Sequence, residues 1–224
     1  MEFTVQERKK YIDITRNQWM TSLELKTQFL KGNGIETLVS MADSIASAIA
    51  QGGKLMLCGN GGSAADAQHL ACELLVRLRS SKNRAPIPAL SLALDTSTIT
   101  ACTNDYNFEQ LYSRMVQALG RPGDVLLGLT TSGRSKNVIN ALKTARELGI
   151  VTFGFLGGNG GLALAECDLS LVIPGTDPNR IQEIHITAGH ILMDLIESML
   201  LERKEIALMD EAVVTSPSVT ETCP

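Results

Sequence analysis

Three side chains with complementary chemistry stand four residues apart: His69, Glu73 and Arg77. On a helix that spacing lines up an imidazole, a carboxylate and a guanidinium on one face. An imidazole and a carboxylate are the groups that ligate a divalent metal or move protons near neutral pH. The chain has two other histidines, His185 and His190, in a late apolar segment with Gln182 nearby. A histidine from that segment would join His69 and Glu73 as a zinc ligand set. Spacing alone leaves the plain alternative open, since core or ion-paired histidines are commoner than ligands. A second cluster is Thr130, Thr131, Ser132 and Ser135, four hydroxyls within six residues. Ahead of a helix N-terminus, such hydroxyls and the backbone N–H groups suit a phosphate ester, although a capped loop uses the same residue types. The chain lacks Gly-Lys-Ser/Thr, so a monophosphorylated small molecule fits better than a nucleoside triphosphate.

The elements that must position these groups follow from the residues around them. Residues 54–77 read as a unit. An apolar run at 54–58 makes one buried strand. Gly59-Asn60-Gly61-Gly62-Ser63 must turn, because glycine and asparagine accept positive φ. Ser63 is the expected N-cap of the next helix, with Asp66 in its first turn. Strand, glycine turn and helix N-terminus together make an anion site. Leu70, Leu74 and Leu78 mark an apolar stripe beside the polar trio, which places that trio on a cleft wall. Gly59, Gly61 and Ala64 also fit a dinucleotide fingerprint, but Asp95 lies 36 residues past Gly59 where roughly 20 are needed.

Helices are expected at residues 4–30 and 35–50, before the first strand. They exceed a minimal doubly wound unit and read as packing on the sheet edge or on another subunit. After the central unit come strands at 88–94, 125–129, 151–156 and 169–173, and helices at 108–119, 136–148, 162–166 and 180–201. Residues 96–105 are polar and end in Asn104-Asp105. Alternating strands and helices imply a parallel sheet covered on both faces, an α/β three-layer doubly wound sandwich of five strands. Ligands bind such sheets at the carboxyl ends of the strands. Residues 1–52 form the N-terminal, oligomerising helices, 53–201 the main domain and 202–224 a tail whose segment 215–224 has a disordered composition.

Net charge is −4, which gives no reason to expect nucleic acid or an anionic membrane as partner. No apolar run reaches the ~18 residues of a membrane span. The N-terminus lacks a signal-peptide core, and the five cysteines, Cys58, Cys72, Cys102, Cys167 and Cys223, show no C-x-x-C spacing. Reduced thiols in a cytoplasm are the expectation.

Six segments in order resemble the sugar isomerase (SIS) domain family, and within it the bacterial phosphoheptose isomerases. They are Leu57-Cys58-Gly59-Asn60-Gly61-Gly62-Ser63, Asp66-Ala67-x-His69-x-Ala71-x-Glu73, Asn104-Asp105, Gly123-Asp124-Val125-Leu126-Leu127-Gly128, Thr131-Ser132-Gly133-x-Ser135-x-Asn137-Val138-Ile139 and Arg180-Ile181-Gln182-Glu183-x-His185-Ile186-x-x-x-His190. The resemblance implies a zinc-dependent aldose–ketose isomerase. It would convert sedoheptulose 7-phosphate to glycero-manno-heptose 7-phosphate through an enediol, for surface-glycan heptose. It implies zinc on His69, Glu73, Gln182 and His190, with Glu73 as base and His190 as acid–base partner. It puts substrate contacts at Asn60, Gly61, Gly62, Glu73, Arg77, Asn104, Asp105, Thr130, Thr131, Ser132, Ser135 and Gln182. It also implies a homo-oligomer, a tetramer. Thr130 departs from the family's usual serine, and Asn179 stands where aspartate is common.

Relatives that bind the bacterial replication initiator instead lack the glutamate and the last histidine. Both are present here, which favours the isomerase; a sugar-phosphate-sensing regulator would bring a helix-turn-helix, and none is evident. Gln182 and His190 are eight residues apart, about 12 Å of rise and roughly 80° of turn on one helix. To share an ion, they must reach toward each other, or Gln182 must precede the regular helix, or a neighbouring chain must supply a ligand.

Overall fold

The computed structural model describes residues 3–209. Helix α1 (Val5–Lys31) starts at a reciprocal cap: the Thr4 hydroxyl accepts from Glu7 N, and the Glu7 carboxylate accepts from Thr4 N. Then follow α2 (Gly34–Ala50), β1 (Leu55–Gly59), α3 (Gly62–Leu75), β2 (Ala89–Ser91) and α4 (Thr96–Asp105). A 3-10 turn, Phe108–Gln110, leads into α5 (Leu111–Leu119), β3 (Val125–Thr130), α6 (Lys136–Glu147) and β4 (Val151–Gly157). A 3-10 segment, Gly161–Glu166, precedes β5 (Leu169–Ile173) and α7 (Pro178–Glu202).

The five strands lie in the order β2-β1-β3-β4-β5, and every pairing is parallel. Period-two alternation divides each strand between two cores. In β1, Leu55 and Leu57 join the side covered by α2, α3 and α7, while Met56 and Cys58 join the side covered by α5 and α6. Burial on both faces explains why the strands read as unbroken apolar runs. The chain leaves β1 toward β2 and later returns to β3 on β1's other side, so the topological switch lies between β1 and β3.

Three local expectations are corrected. Residues 96–105 form a helix, because the Asp95 carboxylate caps it at Ser97 N. Asp95 is thus an N-cap and not a ribose ligand. Ser63 is not the cap of α3; Gly61 at φ +55° holds that position, and Ser63 is buried as the second residue of the helix. The second strand shrinks to Ala89–Ser91.

Helix α2 fills the core beneath α7 with Leu38, Met41, Ala42, Ile45 and Ile49. Helix α1 buries only Ser22 and leaves Ile12, Trp19 and Leu23 exposed. Among the described residues α7 is the one helix long and apolar enough to cross a membrane, yet it is a core helix of this sheet. Beyond α7 the chain returns to residues 83–85: Ala85 N donates to Ala207 O, and Met209 N donates to Asn83 O. Residues 210–224, with Cys223 and the segment expected to be disordered, lie outside the described residues.

Candidate active site

Helices α3 and α7 both start at the carboxyl edge of the sheet and run side by side. Their contacts can be followed along the seam. At the N-terminal end the Gln182 amide lies over Gly62, where a Cβ would come within 2.3 Å of Nε2. Gln182 Nε2 donates to Asp66 Oδ1 at 3.4 Å. Seven residues along α7 from Gln182, about two turns, Gly189 meets Leu70; a Cβ there would stand 2.6 Å from the Leu70 side chain. Glycine at both positions lets the helices come close enough for polar side chains to meet between them.

That meeting point is His69, Glu73 and His190. The Nε2 atoms of His69 and His190 face each other at 2.8 Å, with the rings edge to face. His69 Nε2 is also 3.2 Å from Glu73 Oε1. One candidate ligand atom from each residue lies within 4.8 Å of the others. Two imidazole nitrogens at this distance need either a proton between them or a cation that takes both lone pairs. With a carboxylate oxygen alongside, the donor set fits a divalent metal with nitrogen and oxygen ligands. The cluster opens to solvent on the His69 side, whose side chain is 49% exposed against 14% for Glu73.

Asp66 joins the same seam; it was expected in the first turn of α3, but α3 begins at Gly62 and has no acidic residue in that turn. It is buried, its Oδ2 has no partner, and burial raises its carboxyl above the usual range. The Gln182 amide, His69 and His190 act against that shift. The signal was available in the spacing, since Asp66 precedes His69 by one helical turn.

Other expected site residues separate into those the fold gathers and those it does not. Thr130 is buried at the end of β3, its Oγ1 3.0 Å from Ser135 Oγ and 3.5 Å from Ser132 Oγ. Arg134 N donates to Ser132 Oγ, and Thr131 completes the turn. Asn60 crosses the switch crevice to Asn137: each Nδ2 donates to the other's Oδ1 at 2.8 Å. The Tyr112 hydroxyl donates to Gly59 O from below. Asn137 and Tyr112, both buried, have no role assigned from the sequence, because their partners lie 77 and 53 residues away.

Asn104 and Asp105 do not open directly from a strand end; the whole of α4 intervenes, and they are exposed on its last turn, with Asn104 Nδ2 donating to Asp105 Oδ1. Arg77 does not extend the row of His69 and Glu73, because α3 ends at Leu75 and Arg77 is exposed in the following loop. Gln182 lies within the regular helix, since α7 begins at Pro178; the option that it precedes the helix is excluded.

Comparison with known proteins decides the family. The SIS domain matches residues 18–157. The chain belongs to the SIS-domain family. It is 49% identical over 195 residues to a phosphoheptose isomerase of Pelodictyon phaeoclathratiforme, covering 87% of this chain and 92% of that one. It is 48% identical over 182 residues to a phosphoheptose isomerase of Aquifex aeolicus, covering 81% and 94%. The solved phosphoheptose isomerase of Neisseria gonorrhoeae superposes with a TM-score of 0.77 at 38% identity, over 87% of this chain and all of that one. Within the SIS family the chain is an enzyme of the isomerase class.

Proposed function

We propose that the chain is a cytoplasmic aldose–ketose isomerase. It interconverts sedoheptulose 7-phosphate and D-glycero-D-manno-heptose 7-phosphate through an enediol, supplying heptose for surface glycans. The observation that carries this reading is the convergence of His69, Glu73 and His190 on one seam. The names of the relatives supply the substrate, which is a phosphorylated seven-carbon sugar.

His69, Glu73 and His190, with Gln182 as a fourth candidate, would hold a zinc ion. When bound, zinc supplies Lewis-acid stabilisation of negative charge on the sugar's C1 and C2 oxygens. Glu73 takes the proton from one of these carbons and returns it to the other. His190 holds or gives a proton at the adjacent oxygen. The hydroxyls of Thr130, Ser132 and Ser135, with Thr131, Asn60, Gly61 and Gly62, bind the phosphate end and orient the chain. His69 is seven residues into α3, about 10 Å from its start, so the charged and reacting ends of the substrate are held apart. Exposed Ile12, Trp19 and Leu23 on α1 support a homo-oligomer, which we assign as a tetramer.

The test is an assay of purified protein on sedoheptulose 7-phosphate, before and after chelation and zinc restoration, alongside Glu73→Gln. Loss of the base is expected to lower turnover at least ~10²-fold. Near wild-type turnover in folded Glu73→Gln, or full activity in metal-free protein, would sink the assignment.

A further inference from the structure

Helix α3 ends directly after the proposed base, without a glycine or asparagine to close it. Its last-turn carbonyls are taken up by a side chain from further along the chain. Arg84 Nη2 donates to Glu73 O at 2.8 Å, and Nη1 donates to Leu74 O at 2.8 Å and Ala85 O at 3.1 Å. Its Nε donates to Glu197 Oε2 at 2.7 Å. Both side chains of that ion pair are fully buried. Lys82 Nζ stands 3.2 Å from the other Glu197 oxygen. Glu197 lies on α7 seven residues after His190, two turns along the same face. One guanidinium therefore grips the main chain of the base on α3 and, through Glu197, the helix that carries His190.

We propose that Arg84 is a positioning residue for the isomerase site, with Glu197 as its anchor. The proposal rests on the function proposed above. A planar guanidinium can bond two carbonyls and a carboxylate at once in fixed directions. It thereby sets how far α3 stands along α7, which sets how His69 and Glu73 meet His190. Its charge also sits where the carbonyl end of a helix dipole favours a cation. Val76 N reaches back only to Cys72 O, and Ile87 N adds a main-chain bond to Leu74 O at 3.1 Å that does not involve α7.

The test uses two variants of the full chain. Arg84→Lys keeps a charge for Glu197 but offers one point donor in place of a fork. Arg84→Met with Glu197→Met removes the buried pair together, so that neither charge is left unpaired, a replacement that buried pairs often tolerate. Melting temperature, Zn²⁺ affinity by calorimetry, and kcat and KM are measured for each. A positioning role predicts that variants folded at the assay temperature lose 10- to 100-fold in Zn²⁺ affinity or kcat, the range seen when groups behind metal ligands are removed. KM should stay within roughly threefold, because the phosphate loop is untouched. Folded variants with wild-type Zn²⁺ affinity and kcat would overturn the proposal. So would unfolding of both variants, which would mean that the pair holds the fold rather than the site. If wild-type protein neither binds Zn²⁺ nor isomerises the sugar, it is the functional assignment that fails.

Discussion

Helices α1 and α7 are close in length, 27 and 25 residues, and opposite in what they bury. In α7 the buried positions run Ile181, Ile184, His185, Ala188, Gly189, Leu192, Met193, Ile196, Glu197 and Leu200. That is an unbroken alternation of three and one, the stripe of a helix pressed against a core. The apolar residues of α1 fall on two sides. Leu25 and Phe29 reach the domain, while Ile12, Trp19 and Leu23 stay exposed. Apolar content therefore did not separate a core helix from a surface one; the continuity of the stripe did. It also shows where polar residues acquire function: His185 and Glu197 interrupt the α7 stripe and stay buried, so each must be satisfied by a specific partner.

Four experiments would break or sharpen this contrast. The largest effect is expected from Leu192→Ala on α7, a fully buried side chain, at about 2–5 kcal/mol. Urea unfolding that showed under 1 kcal/mol would mean that α7 is not the core helix described. Next is Gly189→Val, which pushes a side chain into Leu70 and should cost about 1–3 kcal/mol. Because it wedges α3 from α7, isomerase activity should fall further than stability does; equal losses would argue against a tight seam.

The third concerns His185. Burial lowers its pKa to about 4, and one ring nitrogen faces Leu156 O at 3.2 Å. The unfolded chain binds this proton near pH 6.5 and the folded chain does not. Its contribution is thus present above about pH 6.5 and is lost as pH falls toward 4, with a slope of up to about 1.4 kcal/mol per pH unit. Urea midpoints at pH 7 and pH 5 should converge in His185→Leu relative to wild type. An unchanged pH response would remove His185 from the account. The smallest effect is expected for Ile12→Ser on α1, within about 0.5 kcal/mol for the isolated chain. A loss comparable to Leu192→Ala would show that α1 is held by apolar contacts of the same weight.

Much of this was legible in the sequence. Strands buried on both faces announce themselves as apolar runs, and the His69–Glu73 spacing and the glycine turn carry local geometry. What was not legible depended on long-range partners or on weak local signals. Helix α4 is rich in threonine, which gives little helix propensity, and it forms because Asp95 caps it. The end of α3 at Leu75 has no glycine or proline to mark it; Arg84 fixes it from nine residues further on, with Glu197 another 113 away. The four-residue spacing puts Arg77 on the row because nothing in the sequence marks that stop.

The doubled amide bridge between Asn60 and Asn137 has a consequence for how the crevice behaves in different solutions. Carboxamides carry no formal charge and do not ionise over the range in which proteins stay folded. Salt screens charges and leaves such a pair almost untouched. The gap between the β1 and β3 loops should therefore keep its width when acidity or ionic strength changes. Any response of substrate capture to those conditions then originates in the ionisable groups along α3 and α7, or in the phosphate itself.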